Sequence, residues 1–353
     1  MTGTMRAIVK DKPEEGATLY TDWAIPQIKD NEVLVKVKAT AICGTDLHIY
    51  KWAPYAQQRL HLPMVFGHEF AGDIVEAGKS VTSFKVGDRV AAETHIPCNS
   101  CYQCRTGNQH VCENMKIIGV HVPGSFGEYI NVQVDDLWKL DDKISYVSGS
   151  MLEPLGVGMH GVSVTPMGGK DVLILGCGPI GLMAIGAAVC SGAGRIFATD
   201  VFDNKLEVAK KMGADVVINT KNESASDVIL KATGGRGVDC VIDYTGNNFA
   251  ISDGFKALKL GGQFTMVGLP GKDITIDAVG GIIYKETTIV GVTGRQMYKT
   301  WYECEKLLLN PKFKFKNVLG GIYPLEKFDD AFDALFSGAT GKMVLTLEDG
   351  LEF

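Results

Sequence analysis

Cys98, Cys101, Cys104 and Cys112 stand in "CNSCYQCRTGNQHVC" with two, two and seven residues between them. Four thiolates this close together fill every position of a tetrahedral Zn²⁺, so the segment is expected to be a closed, structural zinc site. An iron–sulfur cluster is the rival, because short Cys-x-x-Cys runs also hold clusters. A second set of donors is more widely spread: Cys43 opens "CGTDLH", and "GHEF" supplies His68 and Glu69. A thiolate, an imidazole and a carboxylate give Zn²⁺ three protein ligands and an open fourth position, which is an arrangement for chemistry. Cys177, Cys190, Cys240 and Cys304 lie in apolar or helical surroundings and are expected to pack as small hydrophobes.

A third group could hold a dinucleotide. "DVLILGCGPIGLMAIGAAV" carries G-x-G-x-x-G as Gly176, Gly178 and Gly181, after an apolar run and before a helical one. Gly176 would make the tight turn, Gly178 admit the pyrophosphate and Gly181 let the helix approach the strand. Pro179 suits a first helical turn, whose free amides and dipole would face the phosphates. Asp200 follows Gly181 by 19 residues, where a carboxylate can hold both adenosine ribose hydroxyls and repel a 2′-phosphate. NAD is therefore expected over NADP, with Lys205 nearby. The alternative is a glycine-rich packing turn with no ligand.

These residues need a scaffold. Glu32 to Thr40, "EVLVKVKAT", alternates as a half-buried strand does, and "FAGDIVEAG" and "GDRVAAE" continue the pattern between Gly and Asp turns, so the first domain is expected to be β. From about Pro166 the runs "DVLIL", "RIFATD", "DVVIN", "CVIDYTG", "QFTMVG" and "TTIVGV" recur between helical stretches. That is an α/β pattern, a doubly wound parallel sheet covered on both faces. After Gly294 come two helical segments and a closing strand, "GKMVLTL".

At 353 residues and 46% hydrophobic composition, the chain has room for two globular domains and is too ordinary in composition for disorder. A net charge of −6 without long basic runs argues against nucleic acid and membrane surfaces as partners and favours a small-molecule substrate. The N-terminus "MTGTMRAIVKDKPEEG" has charges where an apolar signal region would lie, so nine cysteines point to a cytoplasmic chain with metal sites. Val172 to Gly194 is uncharged and as long as a membrane span, but its Gly-Pro punctuation fits a strand, a turn and a buried helix.

"GHEFAGDIVEAGKSV" resembles the signature of zinc-dependent medium-chain alcohol dehydrogenases, through Gly67, His68, Glu69, Gly72, Gly78 and Val81. With the cysteine lobe and the glycine fingerprint following in that order, the resemblance spans essentially the whole chain. It implies a GroES-like catalytic domain at 1–155 and 295–353 and a Rossmann NAD-binding domain at 156–294. It also implies one catalytic and one structural zinc, with Cys43 and His68 as catalytic ligands and Glu69 beside or on the metal. Glu153, in "MLEPLG", stands where liver-type members have a second cysteine, and it either binds the metal or acts one shell out. Further cofactor contacts implied are Ile180, Lys205, Val267, Gly268, Leu269, Val292 and Thr293. Lys205 stands where an Arg is usual, which keeps the charge and loses the planar fork.

Within the family, "CGTDLHIYKW", "GRQMYKTW" and the position of His95 resemble the members that oxidise L-threonine at C3 to L-2-amino-3-oxobutanoate. The resemblance makes Thr45 and His48 a proton relay from the substrate hydroxyl to water. Asp46, between them, is expected to point elsewhere if the segment is extended. A substrate carboxylate needs a cation, and Arg295 is the candidate; its bland reading is a solvated guanidinium at a helix start. A 2,3-butanediol or polyol (sorbitol-type) dehydrogenase would share the zinc and NAD chemistry, and a non-catalytic NAD-binding redox sensor would lack catalytic zinc. The family forms dimers or tetramers through the edge of the Rossmann sheet, and a homotetramer is expected.

Overall fold

Glu32–Ala41 forms a strand with Val33, Val35, Val37 and Ala39 fully buried, as the alternation requires, but Leu34 and Thr40 are fully buried too. The reason is its central place: it pairs antiparallel with Glu69–Ala77, Tyr129–Gln133 and Lys342–Thr346, and little of either face is left for water. In this computed structural model, which describes residues 1–353, the chain divides into Met1–Pro154 with Leu319–Phe353, and Leu155–Val318.

The first unit is built on that strand. Its main sheet runs Leu137–Lys139, Arg89–Ala92, Glu69–Ala77, Glu32–Ala41, Lys342–Thr346 and Leu319–Pro324, with Tyr129–Gln133 also on the central strand. A smaller sheet is led by Thr4–Lys10. The C-terminal segment belongs here because it supplies core: Phe332, on the helix Phe328–Phe336, meets Phe66 and Phe126 at ring-centre distances of 6.2 and 6.5 Å. Truncating such a buried ring costs about 3–5 kcal/mol.

The second unit is a six-stranded parallel sheet in the order Val216–Asn219, Arg195–Asp200, Asp171–Leu175, Val238–Asp243, Leu258–Met266 and Thr288–Gly291. Counted from Asp171–Leu175, that is the 3-2-1-4-5-6 order of the dinucleotide-binding fold, whose ligands sit at the carboxyl ends of the strands where the order reverses. Val172 to Gly194 is the strand Asp171–Leu175 and the buried helix Pro179–Cys190, and no helix is long and apolar enough to cross a membrane.

Residues 295–318, assigned by resemblance to the first domain, fall in the second unit instead. Phe313 lies over Gly186, where a Cβ would meet its ring at 2.5 Å, and Asn317 Nδ2 donates to Lys211 O at 3.2 Å. The segment is fastened to the helices of the parallel sheet before the chain returns at Leu319.

Candidate functional site

The lobe between Cys98 and Cys112 is held by local turns. Cys101 caps the short helix Tyr102–Arg105, Gln109–Val111 forms a 3₁₀ turn, and His95–Ile96 pairs with Lys116–Ile117 across its base. The four sulfurs all lie within 4.8 Å of one another. Cys101 Sγ is 3.5 Å from Cys104 Sγ and 3.9 Å from Cys112 Sγ. A tetrahedron with Zn–S bonds of about 2.3 Å has edges of about 3.8 Å, so one ion fits, whereas a cluster would hold its ligands farther apart. Main-chain amides point at the sulfurs: Cys98 N donates to Cys112 Sγ at 3.2 Å and Cys101 N to Cys98 Sγ at 3.4 Å. The Ser100 hydroxyl and amide pull the Cys98 thiol down to about 5. Burial and the neighbouring thiols push Cys104 up to about 12, so with no ion bound the cluster holds protons that a metal must displace.

The second donor set comes from separate segments. The central strand ends at Ala41, and two residues later Cys43 caps the helix Gly44–Tyr50. Asp46, at the third position of that helix, accepts from Cys43 N at 2.8 Å, a local device that fixes the direction of the Cys43 side chain. His68 enters through Gly67, which has φ +82° and lies against the Phe126 ring, where a Cβ would come within 2.3 Å. A side chain there would displace the residues that follow. One donor atom each from Cys43, His68 and Glu69 then falls within 4.8 Å of the others.

The electrostatics of this pocket suit a cation. His68 is 4% exposed, and its Nδ1 makes no hydrogen bond and stands 3.7 Å from Asp46 Oδ1. Burial alone would lower His68, but the charges of Asp46 and Cys43 outweigh it and raise the imidazole to about 10. Glu69 is fully buried and is raised to about 7 by burial, with Lys342 opposing and Glu153 adding to the rise. Lys342 Nζ donates to Glu69 Oε1 at 2.6 Å, lies 2.5 Å from Oε2, and donates to Ile42 O at 2.9 Å. Thiolate, imidazole and carboxylates under one negative field are the donor set of a divalent metal, and Zn²⁺ fits it.

Thr45 is half-buried and His48 exposed, three residues apart and so on one face of the helix Gly44–Tyr50. The helix corrects the extended reading of Asp46: the side chain does not turn away but is fully buried between Cys43 N and His68. Glu153 is 7% exposed at the second position of the helix Leu152–Ser163 and is not among the three clustered donors. His95 is half-buried, its amide on Glu93 Oε1 at 2.9 Å and its Nδ1 3.5 Å from the same oxygen.

In the second unit Gly176 takes φ +92°, Gly178 caps the helix Pro179–Cys190 and Pro179 opens it. A Cβ on Gly181 would lie 1.9 Å from Gly176 O, so the helix reaches the strand only because Gly181 has none. Asp200 closes its strand; Oδ2 accepts from Cys177 N at 2.9 Å, and Oδ1 from Val201 N at 2.8 Å and Phe202 N at 3.1 Å. A cavity of about 860 Å³ opens here, lined by Gly176, Asp200, Phe202, Lys205, Lys221 and Asn247 among others. Ile180, Val267, Gly268, Leu269, Val292 and Thr293 do not line it. Ile180 lies in the first turn of the helix, and the other five follow the carboxyl ends of their strands. Arg295 is 1% exposed and not a solvated side chain: its Cδ lies where a Cβ on Gly156 would approach to 2.7 Å.

Three contributors escaped the sequence reading. Lys342 reads there as part of a closing strand, although a lysine in "KMVLTL" that must be buried demands a partner. Asp46 shows its role as the acid three residues after a capping position. Lys221, which with Lys205 flanks the Phe202 ring at 4.6 and 4.9 Å, carries no motif.

The chain matches the alcohol dehydrogenase GroES-like domain over residues 29–142 and the zinc-binding dehydrogenase domain over 179–310. It is 44% identical to the L-threonine 3-dehydrogenase of Bacillus velezensis, over 98% of this chain and 99% of that one. Identity to the L-threonine 3-dehydrogenase of Pyrococcus horikoshii is 42%, over 99% and 100%. Among solved structures, 2R,3R-butanediol dehydrogenase from Bacillus subtilis superposes with a TM-score of 0.88 at 26% identity, covering 98% of this chain and 100% of that one. Galactitol-1-phosphate dehydrogenase from Escherichia coli gives 0.89 at 27%, covering 97% and 100%. With both domains matched and full-length relatives above 40% identity, the chain belongs to the zinc-dependent medium-chain alcohol dehydrogenase family.

Proposed function

We propose that this chain oxidises L-threonine at C3 to L-2-amino-3-oxobutanoate with NAD, one catalytic zinc and one structural zinc. The observation that carries the reading is identity of 42–44% over nearly the whole chain to proteins named L-threonine 3-dehydrogenase, against 26% to the butanediol enzyme. Cys98, Cys101, Cys104 and Cys112 hold the structural metal, and Cys43 and His68 the catalytic one, with Glu69 or Glu153 completing the set. When bound there, zinc supplies a Lewis acid that polarises the C3 hydroxyl.

The remaining work belongs to side chains. Thr45 accepts the hydroxyl proton, and His48, exposed one turn along the same helix, passes it to water. NAD, when bound, would supply the hydride acceptor, so the substrate would lose two electrons and two hydrogens, one as hydride from C3 and one as the proton on this relay. His95 borders the lobe and shapes the site, and Arg295 supplies the cation that a carboxylate-bearing substrate needs. Gly176, Gly178 and Gly181 hold the pyrophosphate and Asp200 the adenosine ribose, with Lys205 beside it. Ile180, Val267, Gly268, Leu269, Val292 and Thr293 border the rest of the cofactor.

The chain works in the cytoplasm as a homotetramer. The edge strand Thr288–Gly291 supports the assembly, since it ends the sheet with Ile289 exposed and Ile283 and Tyr284 exposed just before it. Initial rates of NADH formation with L-threonine, 2,3-butanediol and sorbitol, each with and without metal removal, test the function. A preference for L-threonine that vanishes with the metal is expected. A preference for a diol or polyol overturns the substrate, and no turnover with any of the three favours a redox sensor.

A further inference from the structure

The first unit gathers basic side chains that the chemistry above leaves unused. Arg59 ends the helix Pro54–Arg59 and His61 follows it, while Lys116 and His121 flank Ile117. All four are exposed and none pairs with a carboxylate, although the chain as a whole carries a net charge of −6. They lie close to one another: burial holds the His121 imidazole below its usual range, and the charges of Arg59, Lys116 and His61 lower it further. Unpaired cations brought together on an acidic chain make a local positive field, and an anion relieves their repulsion.

Arg59 is braced. Its guanidinium carbon lies 4.4 Å from the centre of the Tyr55 ring, and Nη1 donates to Tyr55 O at 3.5 Å. A guanidinium seated over a ring keeps N–H groups at its edge for the forked pairing that a carboxylate accepts. Tyr55 in turn ties the arginine to the metal pocket. Its ring centre is 6.4 Å from that of His48; burial raises its hydroxyl, Arg59 opposes the rise, and the charges of Cys43 and Asp46 add to it. His121 Nδ1 accepts from Ile117 N at 3.0 Å, which leaves Nε2–H as a free donor.

In L-threonine the carboxylate is one carbon away from C3, so the groups that recognise it must lie within reach of the metal pocket. Arg295, the other candidate cation, is 1% exposed and belongs to the second unit, whereas Arg59 and His121 are exposed and share a unit with Cys43 and His68. We propose that Arg59, braced by Tyr55, and His121 form a carboxylate-recognising pair beside the Cys43 and His68 site, which selects amino-acid substrates over plain diols. This rests on the reading of the chain as an oxidant of L-threonine. Arg59 supplies the charge and the forked donors, His121 Nε2 a further hydrogen bond, and Tyr55 is a positioning residue that acts through Arg59.

Steady-state kinetics of the zinc-loaded enzyme with NAD test the pair, using L-threonine and L-threoninamide, which keeps the amine and the C3 hydroxyl and loses the anionic charge. Arg59→Gln is expected to raise the KM for L-threonine by about tenfold, the worth of one charged hydrogen bond, with kcat and the L-threoninamide kinetics unchanged. His121→Asn is expected to raise the same KM by about threefold, the worth of a neutral hydrogen bond. Tyr55→Leu is expected to raise it as well, and to add nothing when combined with Arg59→Gln, which a merely structural tyrosine would not show. An unchanged KM for L-threonine in Arg59→Gln, or the same change for both substrates, overturns the proposal and leaves the substrate reading standing. A wild-type enzyme without L-threonine turnover overturns the substrate reading itself, and this inference with it.

Discussion

The two metal clusters of the first unit are built in opposite ways. The four-cysteine lobe takes all its donors from residues 98 to 112, and its sulfurs are supported by amides of the same turns. The Cys43 site takes its donors from separate segments and lies among buried charges, with Lys342 paired to Glu69 across 273 residues of sequence. A closed site asks only that identical ligands converge, and a local loop achieves that. An open site must leave one position empty among donors drawn from distant segments, and here the register of a sheet brings them together.

The contrast predicts different failures. Cys43→Ser should give the largest loss, lowering kcat/KM for L-threonine by about 10³-fold, because metal polarisation contributes several kcal/mol to such a step. One equivalent of zinc should remain, and the melting temperature should stay near that of wild type. Loss of both zincs would break the separation of roles. Cys104→Ser should act on folding: one zinc lost and the melting temperature lowered by roughly 5 °C, since a structural metal contributes folding free energy. An unchanged melting curve would deny the lobe its structural role. Asp200→Ala, outside both clusters, should raise the KM for NAD by about 10- to 100-fold, the worth of charged hydrogen bonds to the ribose, with zinc content unchanged.

A pH-dependent effect on stability, outside both metal clusters, lies near His95. Burial, with Glu93 and Asp135, pushes the Asp136 carboxyl up to about 8. The folded chain thus holds a proton that the unfolded chain releases near pH ~4. Stability from this group therefore falls as pH rises between those values, by up to about 1.4 kcal/mol per pH unit, and levels off above. Asp136→Asn should remove that slope, so its melting temperature should gain on wild type between pH 5 and 8. A constant difference over that range would contradict it.

The same contrast explains what could be read in advance. The lobe, the glycine fingerprint and the parallel strands are local patterns: Asp171–Leu175 and Arg195–Asp200 appear at their expected limits, while Leu258–Met266 starts five residues before the run "QFTMVG". Cys43, His68 and Glu69 were legible as residue types. What brings them together was not, because Glu69 reaches the end of the strand before Cys43 only through strand pairing, Ala41 with Glu69. Asp46 was misplaced because two helical turns over Gly44–Tyr50 are too short to announce themselves by periodicity. Residues 295–318 were misassigned because their anchor, Phe313 on Gly186, is a tertiary contact without a local signal.

Stepwise removal of zinc by a chelator, with NADH formation from L-threonine and the melting curve followed at each equivalent, tests the division between the sites most directly. The account predicts that the equivalent whose loss abolishes NADH formation leaves the melting temperature in place, and that loss of the other lowers it. Turnover that survives removal of both equivalents, or activity and melting temperature that fall together with one equivalent, would contradict it.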